Sequence, residues 1–113
     1  MSNNTIIPAQ ALDLVSLVNE TEQGIASRIL AKTSGGNLTL FAFDKGQGLS
    51  EHSAPFDALV MVLEGQLNLI IDGKPVNAEP GTIVRMPANI PHAVEAPTKA
   101  KMLLIMLREI KVN

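Results

Sequence analysis

The chain has 113 residues, which is the size of one domain, and its hydrophobic fraction of 46% predicts a globular fold. A formal net charge of -2, with basic residues that are scattered rather than clustered, argues against a nucleic-acid or anionic-membrane partner. The chain has no cysteine, which excludes disulfides, thiolate ligands and cysteine nucleophiles. No apolar run reaches the roughly 18 residues of a membrane span, and no basic flank precedes an apolar stretch at the N-terminus. We therefore expect a cytoplasmic protein.

The first recognisable element is a short apolar segment near the N-terminus. Its apolar positions fit a short helical turn or an irregular segment, and they are Leu12, Leu14, Val15, Leu17 and Val18. We expect residues 1–20 to form an N-terminal segment that packs on the rest of the protein. Residues 21–113 are then expected to form the main domain.

The remainder of the chain is typical of short strands separated by turns. Expected strands cover residues 25–33, 37–43, 58–64, 67–71, 74–76, 83–86, 93–95 and 102–107. In the second of these, Leu38, Leu40 and Ala42 should face one way and the intervening residues the other. Short strands at nearly even spacing predict an antiparallel sandwich or barrel.

Two glycine-anchored segments each hold one histidine. The first runs from Gly46 through His52 to Gly65, and the second from Gly81 through Pro87 to His92. They resemble the two motifs of the cupin superfamily, G-x5-H-x-H-x3-4-E-x6-G and G-x5-P-x-G-x2-H-x3-N. The resemblance implies an all-β, single-domain antiparallel jelly-roll barrel of the RmlC-like type, with the N-terminal segment packed on it.

The chain departs from these motifs at the positions that carry metal ligands. In metal-binding cupins three histidines and one glutamate hold a divalent transition metal, and only His52 and His92 match that set. Ala54 stands in place of the second histidine and Ala58 in place of the glutamate. The resemblance therefore implies a degenerate metal site that binds an ion weakly, if at all.

Asn89 replaces the glycine of the second motif. Asparagine tolerates left-handed backbone geometry better than most residues, so we expect this turn to be kept.

Two acidic residues are candidates for the missing metal ligands, and two arginines are candidates for contacts with an organic ligand. Asp57 and Glu51 each lie one residue out of phase with the inward positions, although a β-bulge after Pro55 would bring Asp57 inward. Arg28 would bind a carboxylate if it faced inward, and otherwise it is a charge on an edge strand. Arg85 is a candidate for the rim of the pocket or a simple exposed charge.

His52, His92, Phe56 and Met86 are the candidate ligand-binding residues. Histidines in a barrel also occur as core residues bonded to backbone groups. These two are the only histidines in the chain, however, and both match ligand positions of the motifs, which favours one shared pocket. The pattern does not distinguish a metal ion from an organic ligand.

The strand expected over residues 58–64 has a second apolar face. Leu59, Met61 and Leu63 should point away from the pocket, and a small domain should not expose such a stripe to water. Either the N-terminal segment or a second subunit must cover it, and the frequency of dimers among cupins favours a homodimer.

These features favour a protein that binds a small molecule inside the barrel, beside a degenerate metal site. A metal-dependent enzyme of the dioxygenase or isomerase type is the alternative, using an ion such as Fe(II), Mn(II), Ni(II) or Zn(II). A metal-free enzyme with a histidine base, or a sensor barrel that works with another protein, also remains open.

Overall fold

The computed structural model describes residues 5–108, which form nine strands in two antiparallel sheets and one short 3-10 helix, Leu14–Leu17. The strands are β1 (Ile25–Thr33), β2 (Gly36–Phe43), β3 (Gly48–His52), β4 (Asp57–Glu64), β5 (Leu67–Ile71), β6 (Lys74–Ala78), β7 (Ile83–Met86), β8 (His92–Glu95) and β9 (Ala100–Leu107). Residues 1–4 of the predicted N-terminal segment and residues 109–113 of the predicted main domain lie outside this range. Within it, no helix is long and apolar enough to cross a membrane.

The strands are arranged in two sheets that share one core. The first has the order β1-β2-β9-β4-β7 and the second the order β3-β8-β5-β6. The main core contains fully buried residues from both sheets, among them Phe43, Val60, Leu67 and Leu69. The all-β antiparallel architecture predicted from the strand spacing is therefore confirmed, and the sheets face each other without closing into one continuous barrel.

Strand β2 shows how alternation divides the chain between two clusters. Phe41 and Phe43 contact the main core, whereas Leu40 and Ala42 belong to a second apolar cluster on the outer face of the first sheet. This is the division that the sequence pattern predicts.

The outer cluster is covered by the N-terminal segment. Leu14, Leu17 and Val18 pack there against β1, β2 and β9, and the Lys101 ammonium donates a hydrogen bond of 2.8 Å to the Val15 carbonyl oxygen. Lys101 is only 6% exposed, so this bond supplies the buried ammonium with a partner. The segment is thus held by apolar packing and by one polar tie.

Strand β3 was not predicted. Its sequence, Gly48–His52, lacks both an apolar run and clear alternation, and its last three residues are exposed. It forms because its backbone pairs with β8, with a register shift between Leu49 and His52.

The loop between β7 and β8 is fixed by backbone and carboxylate bonds. Asn89 has a φ of 65° and its amide donates to the Ala54 carbonyl oxygen at 2.7 Å, so the predicted left-handed turn is confirmed. The Ala88 amide donates to Asp57 Oδ1 at 2.9 Å, and the other Asp57 oxygen forms an ion pair of 2.7 Å with Arg85. These bonds set the path of the chain into His92.

The pH dependence of stability should report the Asp57 bonds. The Ala88 amide, followed by the Arg85 side chain, holds the pKa of Asp57 below its ordinary value of 3.8. A lowered folded-state pKa means that the carboxylate stabilises the fold above the unfolded pKa, and that this contribution is lost as the pH falls through the folded pKa. We expect Asp57→Asn to lower the free energy of unfolding at pH 7, with a difference from wild type that shrinks below about pH 4.

Urea unfolding at pH 7, 5 and 3 measures this difference. Asp13→Asn is the matched control, because the Asp13 side chain makes no capping bond. A gap between Asp57→Asn and wild type that is the same at all three pH values would contradict the assignment.

The outer face of the first sheet is only partly covered. Leu63 packs against the outer cluster, but Met61 and its register neighbour Ile83 are 36% and 57% exposed. The N-terminal segment therefore covers one part of the predicted apolar stripe and leaves the part nearest the β7 edge in water. The homodimer expected from the sequence stays a prediction.

A charge placed on the exposed part of the stripe tests the dimer. If a second copy covers it, Met61→Lys should convert dimer to monomer in sedimentation velocity, because an ammonium would be buried without a partner. Asn77→Lys on the other sheet serves as the control and should leave the dimer intact. A wild-type monomer at all concentrations would reject the interface.

Candidate functional site

Two histidines face each other across the pair formed by β3 and β8. His52 ends β3, His92 begins β8, and their Cα atoms are register partners. The ring centroids are 4.4 Å apart with an angle of 66° between the planes. His92 is buried and His52 is exposed, so the pair reaches from the interior to the surface.

The two imidazole rings are oriented by the same kind of hydrogen bond. Nδ1 of His52 lies 2.9 Å from the Ser50 carbonyl oxygen, and Nδ1 of His92 lies 3.1 Å from the Ile90 carbonyl oxygen. A carbonyl oxygen only accepts, so each bond places a ring proton on Nδ1. In the neutral ring Nε2 is then an acceptor or a metal ligand, and within residues 5–108 neither Nε2 has a hydrogen-bond partner.

Both histidines line one cavity of about 250 Å³ between the two sheets. The other lining residues are apolar and include Phe41, Leu49, Phe56, Met86, Met102 and Met106. The volume lies just below the usual range for small-molecule sites, about 300–1,000 Å³. The cavity therefore suits a small ligand with a largely apolar body.

The two alanines at the motif ligand positions line the same cavity. Ala54 and Ala58 both border it with the histidines, so side chains at these positions point where metal ligands would be needed. No group of three or more His, Asp or Glu residues that could hold a metal ion occurs in the described part of the chain. The residues present therefore do not fit the three-histidine, one-glutamate centre for a divalent metal.

The charged residues considered from the sequence do not line this cavity. Asp57 is bound to Arg85 and Ala88, so the proposed bulge does not bring it to the histidines. Arg28 lies opposite Leu40 of the outer cluster and donates from Nη1 to the Leu17 carbonyl oxygen at 3.3 Å. The inward orientation considered for Arg28 is thus wrong, because its position in β1 is in phase with the outer face.

Phe56 and Met86, the two apolar candidates, both border the histidine cavity. Phe56 also lines a neighbouring cavity of about 330 Å³, where the Arg108 guanidinium lies 5.2 Å from the centre of its ring. Sequence reasoning missed Met102, Met106 and Arg108 as residues near the site. The alternation of β9 was the available signal for the two methionines, whereas nothing in the sequence pattern indicated the position of Arg108.

Comparison with known proteins identifies relatives of the whole chain. The cupin domain family matches residues 39–107. A conserved protein of unknown function from Streptococcus pyogenes is 36% identical over 98% of both chains, with a TM-score of 0.89. A cupin superfamily protein from Desulfitobacterium hafniense is 28% identical over 95% of this chain and 97% of its own, with a TM-score of 0.87.

A third structure, a cupin 2 conserved barrel domain protein from Leptotrichia buccalis, is 43% identical over 86% of this chain. Its TM-score is 0.83, and the match spans 47% of its length. The comparison with curated proteins finds no match. The family match covers more than half of the chain and agrees with the two-sheet fold and the motif resemblance, and on this evidence the protein belongs to the cupin superfamily.

Proposed function

We propose that this protein binds a small, partly apolar molecule in the cavity beside His52 and His92. The observation that carries the proposal is the pair of imidazole rings, each with Nδ1 bound to a backbone carbonyl and Nε2 without a partner among the described residues. In the neutral rings, two acceptors in an otherwise apolar cavity suit a ligand that offers a hydroxyl or N–H donor.

The apolar lining of the cavity would contribute affinity but would not orient the ligand. Burial of apolar surface is worth about 25 cal/mol per Å², so the phenylalanine and methionine side chains favour a hydrocarbon body. The two histidines would then set the orientation of the bound ligand, because the other lining residues are apolar. Because His52 is exposed and His92 is buried, the polar end of the ligand would lie along the route between surface and interior.

The metal-dependent enzyme considered from the sequence has less support. A catalytic metal usually has three protein ligands, and methyl groups stand at Ala54 and Ala58, where the family's motifs place a histidine and a glutamate. We therefore propose binding rather than a metal-dependent reaction.

Thermal-shift screening in the presence of a chelator tests the binding proposal. We expect a small phenol or alcohol to raise Tm, since a ligand at 100 times its Kd adds about 2.7 kcal/mol to the free energy of unfolding. For a domain of this size that is on the order of 10 °C. His92→Asn keeps a donor near the position of Nδ1 and removes Nε2, and it should weaken a hit roughly tenfold, the value of one hydrogen bond.

Glu51→Gln is the control for this comparison, because Glu51 neighbours His52 without lining the cavity. It should leave the affinity unchanged. A ligand that binds wild type, His92→Asn and His52→Asn equally would place binding outside the histidine cavity.

Restoring the motif residues tests the geometry of the same cavity. We expect Ala54→His with Ala58→Glu to raise Zn(II) affinity by more than about 100-fold. Mutation of residues that only hydrogen-bond to metal ligands already changes affinity by about 10–100-fold, and two added ligands should have a larger effect. The control pair Ser53→His with Asn77→Glu adds the same side chains at exposed positions that do not line the cavity. Isothermal titration measures both pairs, and equal affinities would mean that the two alanines do not face the histidines.

A further inference from the structure

Two methionines flank the position where the cupin motif has its glutamate. Ala58 on β4 is the register partner of Met86 on β7 and also of Met106 on β9. Directly opposed residues of neighbouring antiparallel strands project from the same face of a sheet. All three line the cavity, so one thioether side chain lies on each side of the Ala58 methyl group.

The histidines reach the same cavity from the opposite sheet. His52 and His92 belong to β3 and β8, whereas Met86 and Met106 belong to β7 and β9 of the first sheet. Facing sheets pack about 10 Å apart, so their inward side chains meet between them. The cavity therefore brings together two imidazole rings and three thioether groups, and two of the three, Met86 and Met106, lie beside Ala58.

This donor set differs in kind from that of a divalent metal centre. Thioether is a soft ligand and neutral imidazole also binds copper, so together they suit Cu(I) better than the ions that prefer carboxylates. No carboxylate lines the cavity, so a bound ion keeps its full charge in apolar surroundings. A monovalent ion is desolvated at a lower cost than a divalent one, which again favours Cu(I).

The backbone bonds of the two rings orient both histidines in a way that suits metal binding. Histidines that bind metals commonly donate their other ring N–H to a carbonyl oxygen, which fixes the tautomer and the ring orientation. Nδ1 of each ring makes such a contact here, at 2.9 Å in His52 and 3.1 Å in His92. The ring centroids are 4.4 Å apart, close enough for one ion to contact both rings.

We propose that His52, His92, Met86 and Met106 form a site for Cu(I). The thioethers take the place of the carboxylate that is absent at Ala58. This goes beyond the proposed small-molecule function, because the occupant is a metal ion and its ligands include side chains that the cupin motifs do not contain.

Competition with a chromophoric Cu(I) chelator tests the site, using untagged full-length protein under anaerobic, reducing conditions. We expect one Cu(I) per chain. Met86→Leu with Met106→Leu should weaken binding by at least about tenfold, since each substitution removes a sulfur with little change in volume. His52→Asn with His92→Asn should remove the tight site. Wild-type protein that takes no copper from the chelator overturns the proposal.

Two methionine controls separate ligation from packing. Met61 lies on the outer face of the first sheet, so Met61→Leu should not change the affinity for Cu(I). Met102 lines the cavity but pairs with Val62 and Phe41 rather than with Ala58, so Met102→Leu should also retain Cu(I). If Met102→Leu weakens binding as much as the Met86 and Met106 pair, the assignment to the residues that flank Ala58 is wrong.

A spectroscopic measurement on wild-type protein keeps the test independent of how the variants fold. The extended X-ray absorption fine structure of bound copper should show both nitrogen and sulfur neighbours. We expect sulfur at about 2.3 Å, as in other soft metal–sulfur bonds. Nitrogen neighbours alone would overturn the role of the methionines. Because the ligand screen is run with a chelator, a failed copper titration and a failed screen reject different proposals.

Discussion

The pairing of β3 with β8 is the constraint on which the site depends. It sets the only two histidines of the chain directly opposite each other, with their rings 4.4 Å apart. The backbone bonds at Nδ1 then decide which nitrogen of each ring is available in the cavity. A slip of one residue in this register would turn one histidine to the other face of the sheet and dissolve the pair.

The sequence allowed the frame of the protein to be predicted because strand alternation is a local property. The division of β2 between Phe41 and Leu40 follows from spacing alone, and the left-handed turn at Asn89 follows from the motif and the residue type. Strand β3 escaped prediction because its pairing is with β8, about forty residues away, and its exposed, polar end has no apolar signal of its own.

Other features of the site could not be predicted without knowing the register between distant strands. That Met86 and Met106 both neighbour Ala58 depends on how β7 and β9 align with β4, which no local pattern reveals. Arg28 is a similar case, since its face is set by pairing with Leu40 across the hairpin. The motif resemblance identified which ligands were missing, but it gave no indication of what surrounds the gap.

The alternation of β9 has a consequence that extends beyond the site. Its inward residues Met102, Leu104 and Met106 border the cavity, and its outward residue Lys101 holds the carbonyl of Val15 in the N-terminal segment. A rigid strand transmits displacement from one face to the other, since its backbone is shared. Selection on the cavity and selection on the N-terminal cover therefore act on one strand. A substitution that reshapes the pocket through β9 is constrained by what the opposite face of that strand can accommodate.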